Sequence, residues 1–402
     1  MELRDAYFVD GVRTWFGKAR PDGFYYTTRA DDLVVKVMRE LFRRNPKAPF
    51  EQADDNIWGA TCQEGDQGTT MGRTTVLTSG LPVRVAGVTL DRMCAGGMTA
   101  QALGAAEIMA NAADIVIAGG VEHMAHHPMG ATADPNPRIV TEKMVEPKYF
   151  SMGVTAERLH DWMVENGYPE VTKKEADEYA LRVTQRYFKG LDEGYYDDQA
   201  VRMAVFTSNG WKIADRDEQA RRGATIEGLR TLKTPFKPAG KVTAGNSSGL
   251  NDGASVSLIM SGEKCKELGI KPKMRLIGFA FEGVDPSIMG WGPVPATEKV
   301  LKRYGMKFDD LDYIELNEAF AVQAVGFMKY FGMQFPEDPR LNPRGGTIAI
   351  GHPLATSGVR LSIQLAKDFE LNPGAKYGLT TMCVGLGQGG SILWENMVGK
   401  DL

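Results

Sequence analysis

Residues 95–106 read Ala-Gly-Gly-Met-Thr-Ala-Gln-Ala-Leu-Gly-Ala-Ala, and this stretch constrains the fold more than any other. It is almost wholly apolar and built from small side chains. A helix that is apolar all round has to be buried. Its N-terminus points at Cys94. Free N–H groups and the helix dipole there favour a thiolate, and they offer an amide for an oxyanion. The stretch therefore predicts a helix packed inside the protein with a cysteine at its mouth.

Around it, short apolar runs alternate with longer helical patterns, which predicts α/β architecture. Buried strands are expected over 115–120, 85–90, 313–316, 348–350 and 377–382. Residues 31–43 and 297–304 have the periodicity of amphipathic helices. Between about 124 and 249 the chain is richer in charge, Pro, Tyr and Trp, with poorly defined strands. It reads as an insertion folded over the core, a lid or cofactor-binding subdomain. Within it, Thr172 followed by Glu175 predicts a capped helix over 172–190. A weak internal repeat relates 88–119 to 347–385: strand, reactive turn, small-residue helix, strand. It suggests two α/β units whose turns meet at a shared cleft.

Bulk properties exclude several classes. At 402 residues the chain accommodates two to three domains of about 150 residues. A core of that size needs no disulfide or metal support. The net charge of −4 argues against general nucleic-acid binding, though not against a local basic pocket for a phosphorylated ligand. The four cysteines, at 62, 94, 265 and 383, form no C-x-x-C pair, so a zinc ribbon or thioredoxin-type site has no support. Their spacing suits reduced thiols in a reducing compartment. No apolar run approaches the ~20 residues needed to span a bilayer. The first strand-like run begins at Ala6, leaving no room for a leader, so a cytoplasmic location is expected.

Three glycine-dense turns carry the chemistry-bearing residues: Cys94 in Asp-Arg-Met-Cys-Ala-Gly-Gly-Met, His352 in Gly-His-Pro-Leu-Ala-Thr-Ser-Gly, and Cys383 in Met-Cys-Val-Gly-Leu-Gly-Gln-Gly-Gly. Glycine lets backbone approach a ligand closely. Thiols and imidazoles exchange protons near neutral pH, and a histidine can activate a cysteine nucleophile. Residues 385–390 match G-x-G-x-x-G by letter. A strand rather than a helix follows, and no acidic ribose partner can come about 20 residues later, so the dinucleotide reading is rejected. Asn317 and Glu318 end a strand, where they hold a water, orient an imidazole or cap a helix. The loop 241–254, with Ser248, can hydrogen-bond a ligand amide or serve as an ordinary turn. His123, His126 and His127 have metal-like spacing. The flanking glycines and Pro128 indicate a loop, and Glu122 is the only carboxylate nearby in sequence, so no metal is expected.

Taken together these motifs resemble the thiolase family. The Cys94 turn, Thr243-Ala244-Gly245-Asn246-Ser247-Ser248-Gly249, Asn317-Glu318-Ala319-Phe320, Gly351-His352-Pro353-Leu354 and Cys383-Val384-Gly385 occur in the family's order and approximate spacing, over essentially the whole chain. The stretches 120–124, 285–296 and 385–389 are most similar to degradative 3-ketoacyl-CoA thiolases. Ser151-Met152-Gly153 stands where short-chain members usually carry His-Met-Gly. Ala355 stands where the family usually has glycine, and Ala95-Gly96 replaces the commoner pair after the nucleophile.

The resemblance implies a thiolase fold, with duplicated α/β halves in a five-layered αβαβα arrangement and an inserted loop domain. The halves would be 1–123 with 250–272, and 273–402; the insertion, 124–249, would bind CoA. It implies Cys94 as nucleophile, His352 as base, Cys383 as carbon acid, Asn317 as holder of a water, and Gly385 with Cys94 as oxyanion donors. Arg221, or its neighbour Arg222, would meet the CoA nucleotide and Ser248 the pantetheine. CoA would be a substrate, with no permanently bound cofactor and no metal. Homodimers or homotetramers, sometimes joined to a hydratase/3-hydroxyacyl-CoA dehydrogenase subunit, are the implied assemblies. A ketoacyl synthase of the same superfamily is the nearest rival, but the second cysteine favours reversible thiolysis. A non-catalytic acyl-CoA-binding relative would be expected to have lost these residues.

Overall fold

The computed structural model describes residues 3–402. Nine strands make the main path of an 11-stranded sheet: β1 (Ala6–Thr14), β2 (Asp55–Gly59), β3 (Val88–Leu90), β4 (Ile115–His123), β5 (Asn251–Ser261), β6 (Met274–Gly283), β7 (Tyr313–Asn317), β8 (Tyr377–Val384) and β9 (Gln388–Asn396). Their spatial order is β7-β8-β9-β6-β1-β5-β4-β2-β3. The principal helices are α1 (Ala30–Arg44), α2 (Met71–Ser79), α3 (Gly96–Met109), α4 (Met152–Glu165), α5 (Lys173–Asp192), α6 (Pro293–Tyr304), α7 (Ala321–Tyr330) and α8 (Ser357–Leu371).

The duplication is visible in the strand pairing. In the first half β1 is antiparallel to β5, β5 is antiparallel to β4, and β4 is parallel to β2. In the second, β6 is antiparallel to β9, β9 to β8, and β8 is parallel to β7. The halves join where β1 pairs with β6 through Tyr7–Arg275 and Phe8–Met274. β3 extends the first half only.

Both faces of these strands are buried, so alternate residues enter different cores. In β4, Ile115, Ile117 and Val121 pack with Leu33, Val37 and Met38 of α1, while Val116 and Ala118 face a central core. That central core holds Met98, Ala102 and Ala105 of α3 and Val359 and Ile363 of α8. Met382, Val384, Ile392 and Trp394 of the second half close it from the other side. Ile314, Leu316, Leu379 and Leu393 point the other way, against Val300 of α6 and Val322 and Val325 of α7. The result is helix, sheet, helix, sheet, helix. At the centre the two inner helices nearly touch: a Cβ on Gly97 would lie 2.5 Å from the Ala355 carbonyl oxygen, and one on Gly358 would lie 2.6 Å from the Met98 nitrogen.

Two expected strands differ. Residues 348–350 lie in a helical turn, Thr347–Ile350, rather than a strand. The free edge of β7 is already occupied: Ile314 N–H donates to Arg340 O (2.8 Å), and the Asn342 side chain bonds both backbone groups of Leu316. That edge of β7 is therefore closed to 348–350. The repeat is therefore carried by the reactive turns, α3 with α8, and β4 with β8. The strand expected over 85–90 is only Val88–Leu90, because Val85 N–H closes a turn onto Pro82 O.

Residues 124–249 contribute α4, α5 and a hairpin of Met203–Thr207 with Gly210–Ala214. The α5 cap forms as the sequence predicts, with Thr172 and Glu175 bonding each other's backbone N–H groups. Trp162 of α4 packs against Trp291, and Trp291 against Tyr330, with ring centroids 5.0 and 5.1 Å apart. A second attachment is polar. Arg13 of β1 and Asp217 are both fully buried and form a bidentate pair at 2.7 and 3.0 Å. Removing one member of a buried pair strands the other charge. Arg13→Ala should lower stability by about 3–5 kcal/mol, read from urea unfolding; a loss below about 1 kcal/mol would show that this pair does not anchor the segment.

Candidate active site

Cys94 sits in the tight turn Met93–Ala95 that feeds α3. Met93 has φ +44°, a left-handed conformation unfavourable for a bulky side chain, and its N–H is held by Asp91 Oδ1 at 2.6 Å. Cys383 lies near the end of β8, opposite Gly389. The glycine-rich stretch after it is the three-residue turn of the β8–β9 hairpin, with Leu386 at φ +59° and Gly387 at φ +80°. That turn lies on the Cys94 turn: a Cβ on Gly385 would fall 2.6 Å from Met93 Sδ. The backbone N–H groups of Gly385 and Cys94 itself both face the Cys94 sulfur.

His352 occupies the turn between Thr347–Ile350 and α8. Its backbone N–H donates to Asn251 Oδ1 at 3.0 Å, and Leu250 bridges to it. Its Nδ1 lies 2.7 Å from Ser357 Oγ and its Nε2 3.5 Å from Asn317 Nδ2. Asn317 is the last residue of β7 and fully buried. It is not a helix cap, since α7 starts at Ala321 with Phe320 as cap residue. Glu318 points elsewhere. It accepts from Tyr179 Oη (2.8 Å), from the Asn342 side chain and from Ile348 N–H (3.3 Å), and so clamps the 342–348 loop.

Burial dominates the electrostatics. It pushes the Cys94 thiol up to about 12, although the two amides facing the sulfur pull the other way. The helix N-terminus therefore does not yield a resting thiolate, contrary to the sequence expectation: desolvation of the charged form outweighs the dipole. Cys383 is pushed up further by burial and by its proximity to Cys94. His352 is pushed down to about 3 by burial, with the Arg360 positive charge adding to it. The resting site holds two neutral thiols and a neutral imidazole.

The structure thus brings Cys94, Cys383 and Gly385 together, and His352 with Asn317. The turn at Ala355, three residues after His352, seats against Gly96 and Gly97 beside Cys94. Ser248 is half-buried, and its N–H donates to Ala319 O at 2.9 Å, beside the Asn317 loop. Arg222 is tied to Asp192 at 2.6 and 2.8 Å and lies over the Phe188 ring, whereas Arg221 is exposed beside it.

Sequence reasoning missed four supporting residues. Asn251 fixes the His352 backbone and donates to Gly17 O at 3.0 Å. Ser357 partners the imidazole. Gln323 accepts from the Cys383 thiol at 3.5 Å while its amide donates to Asn317 O at 3.1 Å. Glu122 gathers N–H groups of Thr61, Cys62 and Ala355 at 3.2–3.3 Å. Ser357 and Asn251 lie within the motifs already quoted, but nothing in spacing alone assigned them.

The histidines lie together, His123 and His126 stacked with ring centroids 3.8 Å apart, but their ring nitrogens take different partners. His123 Nε2 faces the carbonyls of Tyr25 and Thr28 at 2.9 and 3.0 Å. His126 and His127 instead meet Asp66, a carboxylate about 60 residues away that the local sequence did not offer. Their ligand-type atoms lie within 4.8 Å of one another.

Two neighbouring thiols, one of them facing the Gly385 amide, thus sit together in a duplicated αβαβα core. Comparison with known proteins makes this specific. Residues 6–263 match the thiolase N-terminal domain and residues 270–396 the thiolase C-terminal domain. A 3-ketoacyl-CoA thiolase of Vibrio vulnificus is 41% identical over 398 residues, covering 98% of this chain and 100% of that protein. An Escherichia coli 3-oxoadipyl-CoA/3-oxo-5,6-dehydrosuberyl-CoA thiolase is 38% identical, with 98% and 100% covered. The human mitochondrial 3-ketoacyl-CoA thiolase superposes with a TM-score of 0.87 at 31% identity, covering 98% of this chain and 100% of that one. The Bacillus anthracis acetyl-CoA acetyltransferase gives 0.86 at 32%, with 98% and 99% covered. The chain belongs to the thiolase family.

The His352 environment gives a pH prediction. A folded pKa of about 3 against the ordinary 6.5 means that between these values the unfolded chain binds this proton and the folded one does not. The group's contribution to stability is complete above 6.5 and is lost as pH falls toward 3. In a 15N-histidine NMR titration from pH 8 to 5 the His352 ring should stay neutral, while an exposed imidazole would titrate near 6.5; a His352 midpoint above 6 would contradict the assignment.

Proposed function

We propose that this chain is a 3-ketoacyl-CoA thiolase, cleaving 3-ketoacyl-CoA with CoA to acetyl-CoA and a shortened acyl-CoA. The observation that carries this reading is the nearness of a second thiol, Cys383, to Cys94, whose sulfur faces the Gly385 amide. Two thiols with different surroundings suit a reaction that needs both a nucleophile and a carbon acid. A condensing enzyme with one cysteine would have no use for the second.

In the first half-reaction His352 Nε2 takes the Cys94 proton as the sulfur attacks the 3-keto carbon. The N–H groups of Cys94 and Gly385 stabilise the oxyanion. Because the resting thiol is neutral, proton transfer and attack are coupled. Collapse breaks the C2–C3 bond, leaves the shortened acyl group on Cys94 as a thioester, and expels the enolate of acetyl-CoA. Asn317 and His352 support the enolate through a water, and the Cys383 S–H protonates its carbon. In the second half-reaction the Cys383 thiolate takes the CoA thiol proton, and CoA attacks the acyl-enzyme. Cys94 leaves as thiolate and recovers its proton from the imidazolium.

The segment 124–249 is the proposed CoA-facing insertion, with Ser248 at the pantetheine. Arg222 is engaged with Asp192, which leaves Arg221 as the cation for the nucleotide phosphates. CoA is a substrate, and no step needs a resident cofactor or metal. The edge strand β3, with Val88 exposed, suits pairing with a second copy, so a homodimer is the proposed assembly unit. The four unpaired cysteines suit a reducing compartment such as the cytoplasm.

Incubation with a 3-ketoacyl-CoA and CoA should release acetyl-CoA; absence of cleavage across a chain-length series would overturn the reading. Cys94→Ala should lose the acyl-enzyme seen by mass spectrometry and reduce thiolysis by roughly 10⁴-fold or more. Cys383→Ser should still acylate at Cys94 but slow hydrogen exchange at C2 of acetyl-CoA by roughly 10²–10⁴-fold; unchanged exchange would remove Cys383 from the carbon-acid role.

A further inference from the structure

Behind Asn317 lies a polar chain that neither the motifs nor the mechanism above uses. Arg360 of α8 is fully buried. It donates to Thr347 Oγ1 through Nη2 and to Gln364 Oε1 through Nη1 at 2.9 Å, with Glu315 at 3.6 Å. Thr347 Oγ1 in turn lies 2.8 Å from Asn317 Oδ1. Asn317 Nδ2 faces His352 Nε2, and His352 Nδ1 faces Ser357 Oγ.

The directions of these bonds follow from chemistry. A guanidinium only donates, so Thr347 Oγ1 accepts from Arg360. The single hydroxyl proton of Thr347 then needs an acceptor, and Asn317 Oδ1 supplies it. That bond orients the Asn317 amide: its oxygen points to Thr347 and its NH2 to His352. An NH2 beside Nε2 favours a lone pair there, so the ring proton belongs on Nδ1, donating to Ser357 Oγ. A flipped amide would present oxygen to Nε2 and favour the opposite tautomer, which cannot accept a thiol proton. It would also leave the Thr347 hydroxyl proton without a partner among the described residues.

We propose that Thr347, held by Arg360, is a positioning residue that fixes the Asn317 amide and through it the Nδ1–H tautomer of His352. The role rests on the reading of His352 as the base for Cys94. Thr347 touches no reacting atom; it acts through Asn317. The neighbouring Arg360 charge also opposes protonation of the imidazole, which keeps the lone pair available.

The test compares Thr347→Val, which keeps the shape and removes the hydroxyl, with Thr347→Ser, which keeps the hydroxyl. Thr347→Val should reduce kcat for thiolysis by about tenfold or more, with KM for the acyl-CoA within about twofold of the parent. Thr347→Ser should restore most of kcat. In 15N-histidine NMR spectra the parent and Thr347→Ser should show His352 with a protonated Nδ1 and an unprotonated Nε2, and Thr347→Val a mixture or the reverse. The NMR measurement needs no turnover, so it decides the positioning role separately from the activity. Absence of thiolysis in the parent would sink the functional reading alone. A parent ring protonated on Nε2, an unchanged tautomer in Thr347→Val, or a serine variant as impaired as the valine would each overturn the proposal.

Discussion

The close approach of α3 and α8 at the centre of the molecule is the constraint on which the rest depends. Their N-terminal turns come together at Gly96, Gly97, Ala355 and Gly358, and at Gly97 and Gly358 even a methyl would collide with the facing backbone. Each helix is preceded by a reactive turn. Seating one helix end on the other therefore sets Cys94 beside the His352 loop without a dedicated linker. The sheets on either side, buried on both faces, hold the two helices in register. Chemistry and packing are the same contact here, which explains why this layer is so rich in small residues.

The price of that location is desolvation. A cysteine at a helix mouth on the surface would gain from the dipole, but Cys94 is held as a thiol by its surroundings. His352 is likewise held neutral. Such a site does not rest as an ion pair. Buried polar side chains must then be fully partnered if the geometry is to hold. Glu122, Asn251, Glu318, Gln323 and Asn342 do this by bonding loop backbone and neighbouring polar groups around the site.

Much of the fold was legible because its signals are local. The apolar small-residue helix at 96–109, the capped helix after Thr172 and the buried strand from Ile115 follow from local composition, periodicity and capping. The apolar composition of 348–350 fits either a strand or a helical turn. The deciding fact, that Arg340–Asn342 already occupy the edge of β7, is a contact between distant residues. The histidine cluster illustrates the same limit: Asp66, the carboxylate it meets, is remote in sequence, and His123 turns to carbonyls instead.

Sequence by itself determined the reactive residue types, their order and the family they belong to, because motif chemistry is written in consecutive residues. It also suggested that two α/β units recur, since helix and strand periodicities are short-range, but the strand pairing was needed to show the duplication. Only the tertiary structure decided the protonation of those residues and the partners that aim them. Both depend on what lies within a few ångströms in space: the depth of burial, the Gly385 amide over Cys94, and the polar chain from Arg360 to Asn317. Those neighbours come from four separated segments, around residues 94, 317, 347–360 and 385, and no local pattern specifies how segments so far apart will meet.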